Sequence, residues 1–292
     1  MGIAVGPKIV TDGLVLCLDA GDLNSYPGEP TTNLVTAPLV ETGYVGDYYD
    51  DYNSGWGSTS RIKVENIMGP FGKMVNVISE ELLSTTDSPH IQGVPNNMSG
   101  SYTNNITLTS GVEYIISLYV KSSTTDSTSN MIYLIGASGN QGDVARTATT
   151  EWLRQWRTFT PTVTGTHSIR HYFYSVTVGF KVYYTAYQIE VKDHPTQFTT
   201  GTRSAIDGWK DLINNNGFDL DTVSFDSDAQ IIFNGSSKID CGVVDYGEYV
   251  GLSVSCWFNG YVGTSYKDTL MVLMGHLIIV GFYLIVGGKI KK

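Results

Sequence analysis

The segment Gly46–Gly57, GDYYDDYNSGWG, is the most unusual local feature of the sequence because it mixes aromatic and acidic side chains. Faces of tyrosine and tryptophan rings can stack on sugar rings, while nearby Asp and Asn side chains bond sugar hydroxyls. We therefore predict a carbohydrate contact here. The alternative is a solvated loop whose aromatic residues cover a sheet edge. The stacking candidates are Tyr48, Tyr49, Tyr52 and Trp56.

The same segment carries three aspartates that could offer oxygen ligands to a cation. Ca²⁺ prefers carboxylate and carbonyl oxygens, but the spacing of an EF-hand is absent. The sequence therefore predicts no cofactor, with calcium as a weak alternative. The candidate ligands are Asp47, Asp50 and Asp51.

No group of residues has the spacing of a catalytic site. Glu80 and Glu81 are adjacent and would point to opposite faces of a strand, which does not suit the paired carboxylates of glycoside hydrolysis. The histidines are scattered without an HExxH pattern, and the GxSxG and GxxxxGK[ST] patterns are absent. We predict that the protein is not an enzyme.

Charge and cysteine content exclude further classes. The net charge is −10 and the sequence has no Lys/Arg cluster that could track phosphates, so we expect no nucleic-acid partner. The three cysteines, Cys17, Cys241 and Cys256, lack metal-ligand spacing and lie in apolar runs, so we predict small buried residues and no zinc site. The first residues, MGIAVGPKIV, do not resemble a secretory signal, and we expect assembly in a reducing cytoplasm.

An apolar run from Leu270 to Val286, LMVLMGHLIIVGFYLIV, is followed by GGKIKK. Its length is at the short limit of a membrane helix, and the trailing lysines would suit a cytoplasmic flank. His276 and the interspersed glycines favour two buried strands instead, about Leu270–Met274 and Leu277–Val286. We predict strands in an assembly interface, with a membrane anchor as the alternative. The interface candidates are Leu270, Val272, Leu277, Ile279, Phe282 and Leu284.

The elements that must position these residues are strands. Short β-branched and aromatic runs bounded by Gly, Asn, Ser and Pro recur along the sequence, and helical periodicity is nearly absent. In Glu113–Ser122, EYIISLYVKS, alternation predicts a polar and aromatic face that includes Ser117 and Tyr119. The opposite, core face is predicted to hold Tyr114, Ile116, Leu118 and Val120. The pattern predicts an all-β sandwich or jelly roll.

Three segments, in order, resemble the carbohydrate-binding-module jelly rolls that recur in bacteriophage virion proteins. They are LTSGVEYIISLYVKSS, TEWLRQWRTFTPTVTG and YYTAYQIEVKDHPTQFTTGTRS. The third resembles the closing strand and tail of such modules. The resemblance covers about residues 32–204 and implies a jelly-roll sandwich there.

The flanks are similar to a different family, the laminin-G or concanavalin-A-like lectin domains of phage structural proteins. The opening IVTDGLVLCLDAGDLNSYPG matches the start of such a domain, and GWKDLINNNGFDLDTVSF, IIFNGSSKIDCG and LSVSCWFNG match its continuation. This implies a jelly roll (32–204) inserted between an N-terminal strand (1–31) and a remainder (205–292) that is truncated. We predict that the strand Leu14–Asp19 lies in one sheet with Ile231–Asn234 or Leu252–Phe258, giving a second, incomplete concanavalin-A-like sandwich.

These resemblances imply a virion structural or appendage protein, located in the virion, for assembly and glycan attachment to a host surface. Its expected partners are other virion proteins, copies of itself in a homotrimer, and a cell-surface glycan, with a membrane not expected. Two alternatives remain open: a secreted or surface carbohydrate-binding protein of a bacterium, and a glycan depolymerase.

Overall fold

The computed structural model describes most of the chain between residues 14 and 240. The described residues are 14, 16–20, 22–35, 48–50, 60–84, 90–92, 106–125, 129–139, 146–174, 177–229, 231–232 and 239–240. Strands, turns and irregular segments make up these ranges, and no helix occurs in them. None of this part of the chain therefore offers a helix that could span a membrane.

The described strands are named in chain order. They are β1 (Thr31–Thr32), β2 (Tyr48–Asp50), β3 (Ser60–Met68), β4 (Met74–Leu82), β5 (His90–Gln92), β6 (Ile106–Leu108), β7 (Tyr114–Ser122), β8 (Ser129–Gly136), β9 (Arg146–Thr147), β10 (Leu153–Phe159), β11 (Gly165–Tyr174), β12 (Lys181–Glu190), β13 (Thr202–Arg203), β14 (Trp209–Lys210), β15 (Gly217–Phe218), β16 (Ser224–Phe225) and β17 (Ile231–Ile232).

Two antiparallel sheets form a sandwich. The six-stranded sheet has the order β10-β7-β12-β4-β3-β2, and the five-stranded sheet has the order β5-β11-β8-β9, with β6 also paired to β11. Short two-stranded ladders join β1 to β13, β14 to β15 and β16 to β17. The predicted all-β class and jelly-roll sandwich are confirmed. Most of the predicted second sandwich lies outside the described residues.

One apolar core lies between the two sheets. Ile116 and Leu118 of the six-stranded sheet and Ile169 of the five-stranded sheet are fully buried in it, and Ile132 is 2% exposed. Burial of each such side chain contributes about 1.5–3 kcal/mol before the entropic cost of ordering is subtracted. The predicted core face of β7, with Tyr114 and Val120 as its other members, is confirmed.

The opposite face of β7 is drier than the sequence predicts. Ser117 and its neighbour Ile115 are fully buried, and Tyr119 is partly exposed. In the register of β7 with β12, Ser117 pairs with Gln188 and Ile115 with Glu190, and these two polar residues hold a segment of chain against this face. The predicted alternation of β7 is therefore confirmed, but the covering segment removes Ile115 and Ser117 of its outer face from solvent.

A bulge in β12 decides which side chains reach that face. The register with β7 shifts between Thr185 and Gln188, and Ala186 has a φ of 54°. An extra residue in one strand lets the alternation restart. As a result Tyr184 and Tyr187 both lie in the core, while Gln188 returns to the outer face.

Gln188 and Glu190 bind the segment that follows β12. The Gln188 Oε1 accepts a hydrogen bond from Thr199 N at 2.8 Å, and its Nε2 donates to Thr196 Oγ1 at 3.2 Å. The Glu190 carboxylate accepts from Thr196 N at 3.2 Å and from Thr196 Oγ1 at 2.5 Å. Because these groups are buried, the loss of any one of these bonds would lower the free energy of unfolding.

Arg203 and Asn33 extend this set across the start of the sandwich. Arg203 donates from Nη2 to Gln197 O at 2.6 Å and from Nη1 to Pro27 O at 2.7 Å. Gly28 has a φ of +110°, and a Cβ there would collide with the Arg203 guanidinium, so this close approach requires glycine. The Asn33 amide donates to the carbonyls of Tyr187 and Thr199, both at 2.9 Å, and accepts from Ile189 N at 3.1 Å. We call Asn33, Gln188, Glu190, Thr196 and Arg203 the buried polar network.

An ionic clip lies beside this network. Glu29 is 2% exposed, and its carboxylate bonds the Lys192 ammonium and, at 2.6 Å, the His194 Nε2. The His194 Nδ1 is 2.6 Å from Asp193 Oδ1. The clip joins the segment before β1 to the segment after β12.

The chain before the sandwich contacts the chain after it. Cys17 N donates to Asp211 Oδ1 at 2.8 Å, and Leu212 N donates to Cys17 O at 2.9 Å. Ser25 Oγ donates to Lys210 O at 2.5 Å and accepts from Trp209 Nε1 at 3.1 Å. Two segments separated by the whole jelly roll are therefore adjacent in space.

The predicted strand Leu14–Asp19 is not formed at the residues described there, 14 and 16–19. The backbone of Cys17 meets a carboxylate and the turn at Leu212 instead of a strand edge, so no ladder can form at that point. Ile231–Ile232, one predicted partner, pairs with Ser224–Phe225, and the other, Leu252–Phe258, lies outside the described residues. Cys17 is also half-exposed, whereas the sequence predicted a buried residue. The division into domains stays a prediction.

The clip generates a prediction about pH. Burial opposes charge on His194, but its hydrogen bonds to Glu29 and Asp193 outweigh burial and raise its pKa above the ordinary value. A raised histidine pKa stabilises the fold fully below about pH 6.5, the unfolded value, and the contribution is lost as pH rises through the folded pKa. We expect the wild-type free energy of unfolding, measured by urea denaturation, to fall from pH 6 towards pH 9 relative to that of His194→Gln.

Glu29→Gln provides the companion variant because it removes the carboxylate that holds the imidazolium. It should flatten the same pH dependence. A wild-type curve that runs parallel to the His194→Gln curve across this range would contradict the role given to the clip.

Asp211 generates the second prediction. Its carboxylate accepts from Cys17 N, Ile213 N, Asn214 N and Asn214 Nδ2 at 2.8–3.0 Å, and the residue is 1% exposed. Asp211→Ala leaves these donors without their acceptor, and we expect a loss of about 2–3 kcal/mol in unfolding free energy. Hydrogen exchange should speed up at the amides of Cys17 and Ile213.

Asp219→Ala is the matched control, since this exposed aspartate accepts one turn bond, from Asp221 N at 2.9 Å. It should cost under about 1 kcal/mol. Equal losses in the two variants, or unchanged exchange at Cys17 in Asp211→Ala, would show that Asp211 does not fix the N-terminal segment.

Candidate functional site

The structure places one part of the predicted sugar contact on the sandwich. Tyr48–Asp50 form β2, the edge strand of the six-stranded sheet, where Tyr48 is in register with Lys63 and Asp50 with Arg61. The structure describes β2 by its backbone. The residues outside the described ranges include Tyr52, Trp56, Asp47 and Asp51. The contact by Tyr48, Tyr49, Tyr52 and Trp56 therefore stays a prediction.

The other predicted sites fall outside the described residues. This applies to the calcium candidates Asp47 and Asp51 and to the interface run Leu270–Val286. Within the described ranges no group of three or more His, Cys, Asp or Glu side chains could hold a metal ion.

A different aromatic group is present on the outer face of the six-stranded sheet. The Phe71 ring is stacked on Phe198 at a centroid distance of 5.3 Å, and it meets Tyr119 edge to face, also at 5.3 Å. The Arg154 guanidinium carbon lies 5.8 Å from the Tyr119 ring centroid. Trp156 lies two residues beyond Arg154 on β10. We call these five residues the aromatic surface.

The register of β7 and β10 determines which side chains share this face. Arg154 pairs with Tyr119, and Trp156 pairs with Ser117. Paired residues in antiparallel strands project from the same side of a sheet, so Tyr119, Arg154 and Trp156 lie on the outer face. The Arg154 Nη2 donates to Ser117 Oγ at 2.9 Å, which fixes the guanidinium beside both aromatic residues.

Two loops bring the remaining rings to this face. Phe71 lies in the turn between β3 and β4, next to Gly72, whose φ of +69° belongs to the left-handed region that glycine tolerates. The turn is tied to the residue that precedes β10, because Trp152 Nε1 donates to Met68 O at 2.8 Å. Phe198 lies between Thr196 and Thr199, two residues held by the buried polar network. Phe71 and Phe198 are thus positioned by hydrogen bonds that neighbouring residues of their loops make.

The surface is amphipathic and open to solvent. Phe71 and Trp156 are each 39% exposed, and Tyr119, Arg154 and Phe198 are partly buried. Burial lowers the pKa of Arg154, although a guanidinium stays protonated at neutral pH. Flat rings beside a hydrogen-bond donor can bind a ligand that has an apolar face and a polar rim.

Sequence reasoning did not find this surface. Tyr119 was assigned correctly to the wetter face of its strand. No pattern joined Tyr119 to Phe71, a residue of the turn GPFGK, or to Phe198, in a tail recognised by resemblance. Within the six-stranded sheet, β7, which carries Tyr119, is four strand steps or about 19 Å from β2.

Comparison with known proteins gives likenesses of fold. No protein-family model matches the chain, and no curated protein matches it. Among solved structures, the module TmCBM61 in complex with beta-1,4-galactotriose is 12% identical, with 55% of this chain and 99% of that chain covered and a TM-score of 0.37. The carbohydrate-binding module CBM6cm-2 of Cellvibrio mixtus lichenase 5A, in complex with cellotriose, is 14% identical, with coverage of 53% and 97% and a TM-score of 0.32.

Part of a phage protein is also similar. The enzymatically active domain of bacteriophage CBA120 tailspike protein 4 is 8% identical, with 53% of this chain and 22% of that chain covered and a TM-score of 0.36. At these identities and scores the likenesses carry no conclusion about what this chain binds. The class of this protein follows from its own strands, which form an all-β sandwich with an aromatic surface on one outer face.

Proposed function

We propose that this protein binds glycans through the aromatic surface. The observation that supports the proposal is a set of partly exposed rings, Phe71, Tyr119 and Trp156, held in place beside a guanidinium. Sugar rings present patches of C–H groups that stack on aromatic faces, and their hydroxyls need hydrogen-bond partners at the rim. Rings that are held before the ligand arrives lose little entropy when it binds.

The binding site that we propose does no bond-breaking chemistry. Its described groups are rings, a serine hydroxyl that already accepts a bond from Arg154, and the guanidinium itself. These groups orient and retain a ligand. The function that they support is recognition of a sugar chain.

We further propose that glycan binding serves a virion appendage that assembles with copies of itself and with other virion proteins. The support is the resemblance of residues 32–204 and of the flanking segments to phage structural modules. A carbohydrate-binding protein secreted by a bacterium, or held at its surface, would use the same aromatic surface. Both functions need the same recognition of sugar.

The binding proposal predicts the effect of removing single rings. Trp156→Ala or Phe71→Ala should weaken binding to a glycan found on an array by about tenfold or more, which is about 1.4 kcal/mol or more. Both side chains are 39% exposed, so the melting temperature should change little. Calorimetric titration of the full chain measures the affinity.

Two controls separate the sites. Leu212→Ala changes an exposed apolar residue away from the sandwich and should leave binding unchanged. Trp56→Ala tests the contact that the sequence predicts near β2. If Trp56→Ala abolishes binding while Trp156→Ala has none of the expected effect, the site is the one that the sequence predicts in Gly46–Gly57. An array on which the intact protein binds no glycan would refute the proposed function.

The virion proposal predicts that the protein is a component of purified particles. Mass spectrometry of particles from density-gradient centrifugation should detect the chain, and antibody-gold labelling should place it on the surface. Secretion of the chain by bacteria that carry no phage, with no label on particles, would favour the bacterial alternative.

A further inference from the structure

We propose that the aromatic surface selects acidic sugars, and that Arg154 pairs with the sugar carboxylate. The proposal rests on the proposed glycan binding and names the class of ligand, a uronic acid or another sugar with a ring carboxylate. The observation that supports it is the position of the Arg154 guanidinium beside the Tyr119 ring.

Arg154 is held beside Tyr119 on the aromatic surface. It lies across from Tyr119 in the register of β10 with β7, and its guanidinium carbon is 5.8 Å from that ring. The bond from Nη2 to Ser117 Oγ, 2.9 Å long, orients the planar group. Side chains two residues apart on a strand lie about 6.8 Å apart on the same face, so Trp156 and Arg154 are separated by about the width of a sugar ring.

No carboxylate in the described part of the chain forms an ion pair with Arg154. Glu190 is the acidic residue whose charge acts on it, but the Glu190 carboxylate is already bonded to Thr196 N and Thr196 Oγ1. The Arg154 Nε is buried and has no hydrogen-bond partner, so a ligand that arrives from solvent would bind the terminal Nη groups of the guanidinium. A partly buried cation without a counter-ion is costly, and an anionic ligand would reduce that cost.

A sugar acid can contact both an aromatic ring and the Arg154 guanidinium. Its carboxylate projects from the edge of the ring, while the faces of the ring remain available for stacking. A guanidinium binds a carboxylate through two parallel N–H···O bonds, which fixes the direction of the ligand as well as adding energy. A ring stacked on Trp156 would therefore direct its edge towards Arg154.

The overall charge of the protein makes this selectivity informative. The net charge of −10 gives the chain no general attraction for anions. A preference for acidic over neutral sugars would therefore come from a local cation. Lys63 offers the comparison, because it lies on the same outer face of the sheet, three strands away from β7.

The test uses one oligosaccharide in two forms: a galacturonic acid oligomer, and the same oligomer after chemical reduction of its carboxyl groups. We expect the full chain to bind the acidic form about tenfold or more tightly than the reduced form in calorimetric titration. Arg154→Gln should weaken binding of the acidic form more than binding of the reduced form, so that the ratio of the two affinities falls to within about twofold of one. Arg154→Lys should retain part of the preference, because it keeps the charge but loses the two-pronged geometry.

Lys63→Gln makes the same change of charge at the distant position and should keep the full preference. Melting curves establish that each variant is folded, and Arg154→Lys keeps the test usable if Arg154→Gln is not. Equal affinity of the wild type for both forms would overturn the inference and leave glycan binding standing. Loss of the preference in Lys63→Gln alone would overturn it as well and place the site near β2. Binding to neither form, nor to any glycan on the array, would refute the proposed function together with the inference.

Discussion

The rest of the structure depends on the buried polar network, five side chains that hold the segment after β12 against the six-stranded sheet. Gln188 and Glu190 lie on β12, and they bond Thr196 and Thr199 in the segment that turns back over the sheet. Arg203 and Asn33 close the same network from two other strand ends. In a buried setting each bond is strong and a broken bond is costly, so these bonds together favour one arrangement of the segment. The segment therefore has one position on the sheet.

That single position has consequences for recognition. Phe198 belongs to the held segment, and its ring is stacked on Phe71, which in turn meets Tyr119. The buried polar network thus positions the partly exposed rings of the aromatic surface. A binding surface arranged in this way pays less entropy when a ligand arrives than one built on free loops. Arg154 lies beside the Tyr119 ring of this surface, is fixed by Ser117, and forms no ion pair within the described ranges.

The ends of the sandwich are close together. Cys17 and Ser25 contact the segment 209–212, and Glu29 contacts Lys192 and His194. A domain whose two ends are neighbours can be placed in a loop of another domain with little distortion of the host. This is the geometry that the predicted insertion of the jelly roll requires, and the insertion itself stays a prediction. The clip at Glu29 lies at that junction.

The sequence by itself determined the class of fold, because strand periodicity is a local property. The alternation in β7 assigned Ile116 and Leu118 to the core and Tyr119 to the other face, and the structure agrees. The resemblance of the tail QIE…GTRS marked residues that the structure shows to be joined. Tertiary structure alone decided that Ser117 is buried, since the covering segment comes from about 80 residues further along the chain. It also decided that residues 14 and 16–19 form no strand, because Asp211 supplies the partner of Cys17. Phe71, Tyr119 and Phe198 are distant in sequence and meet only when the sheet has formed, so no local pattern could have joined them.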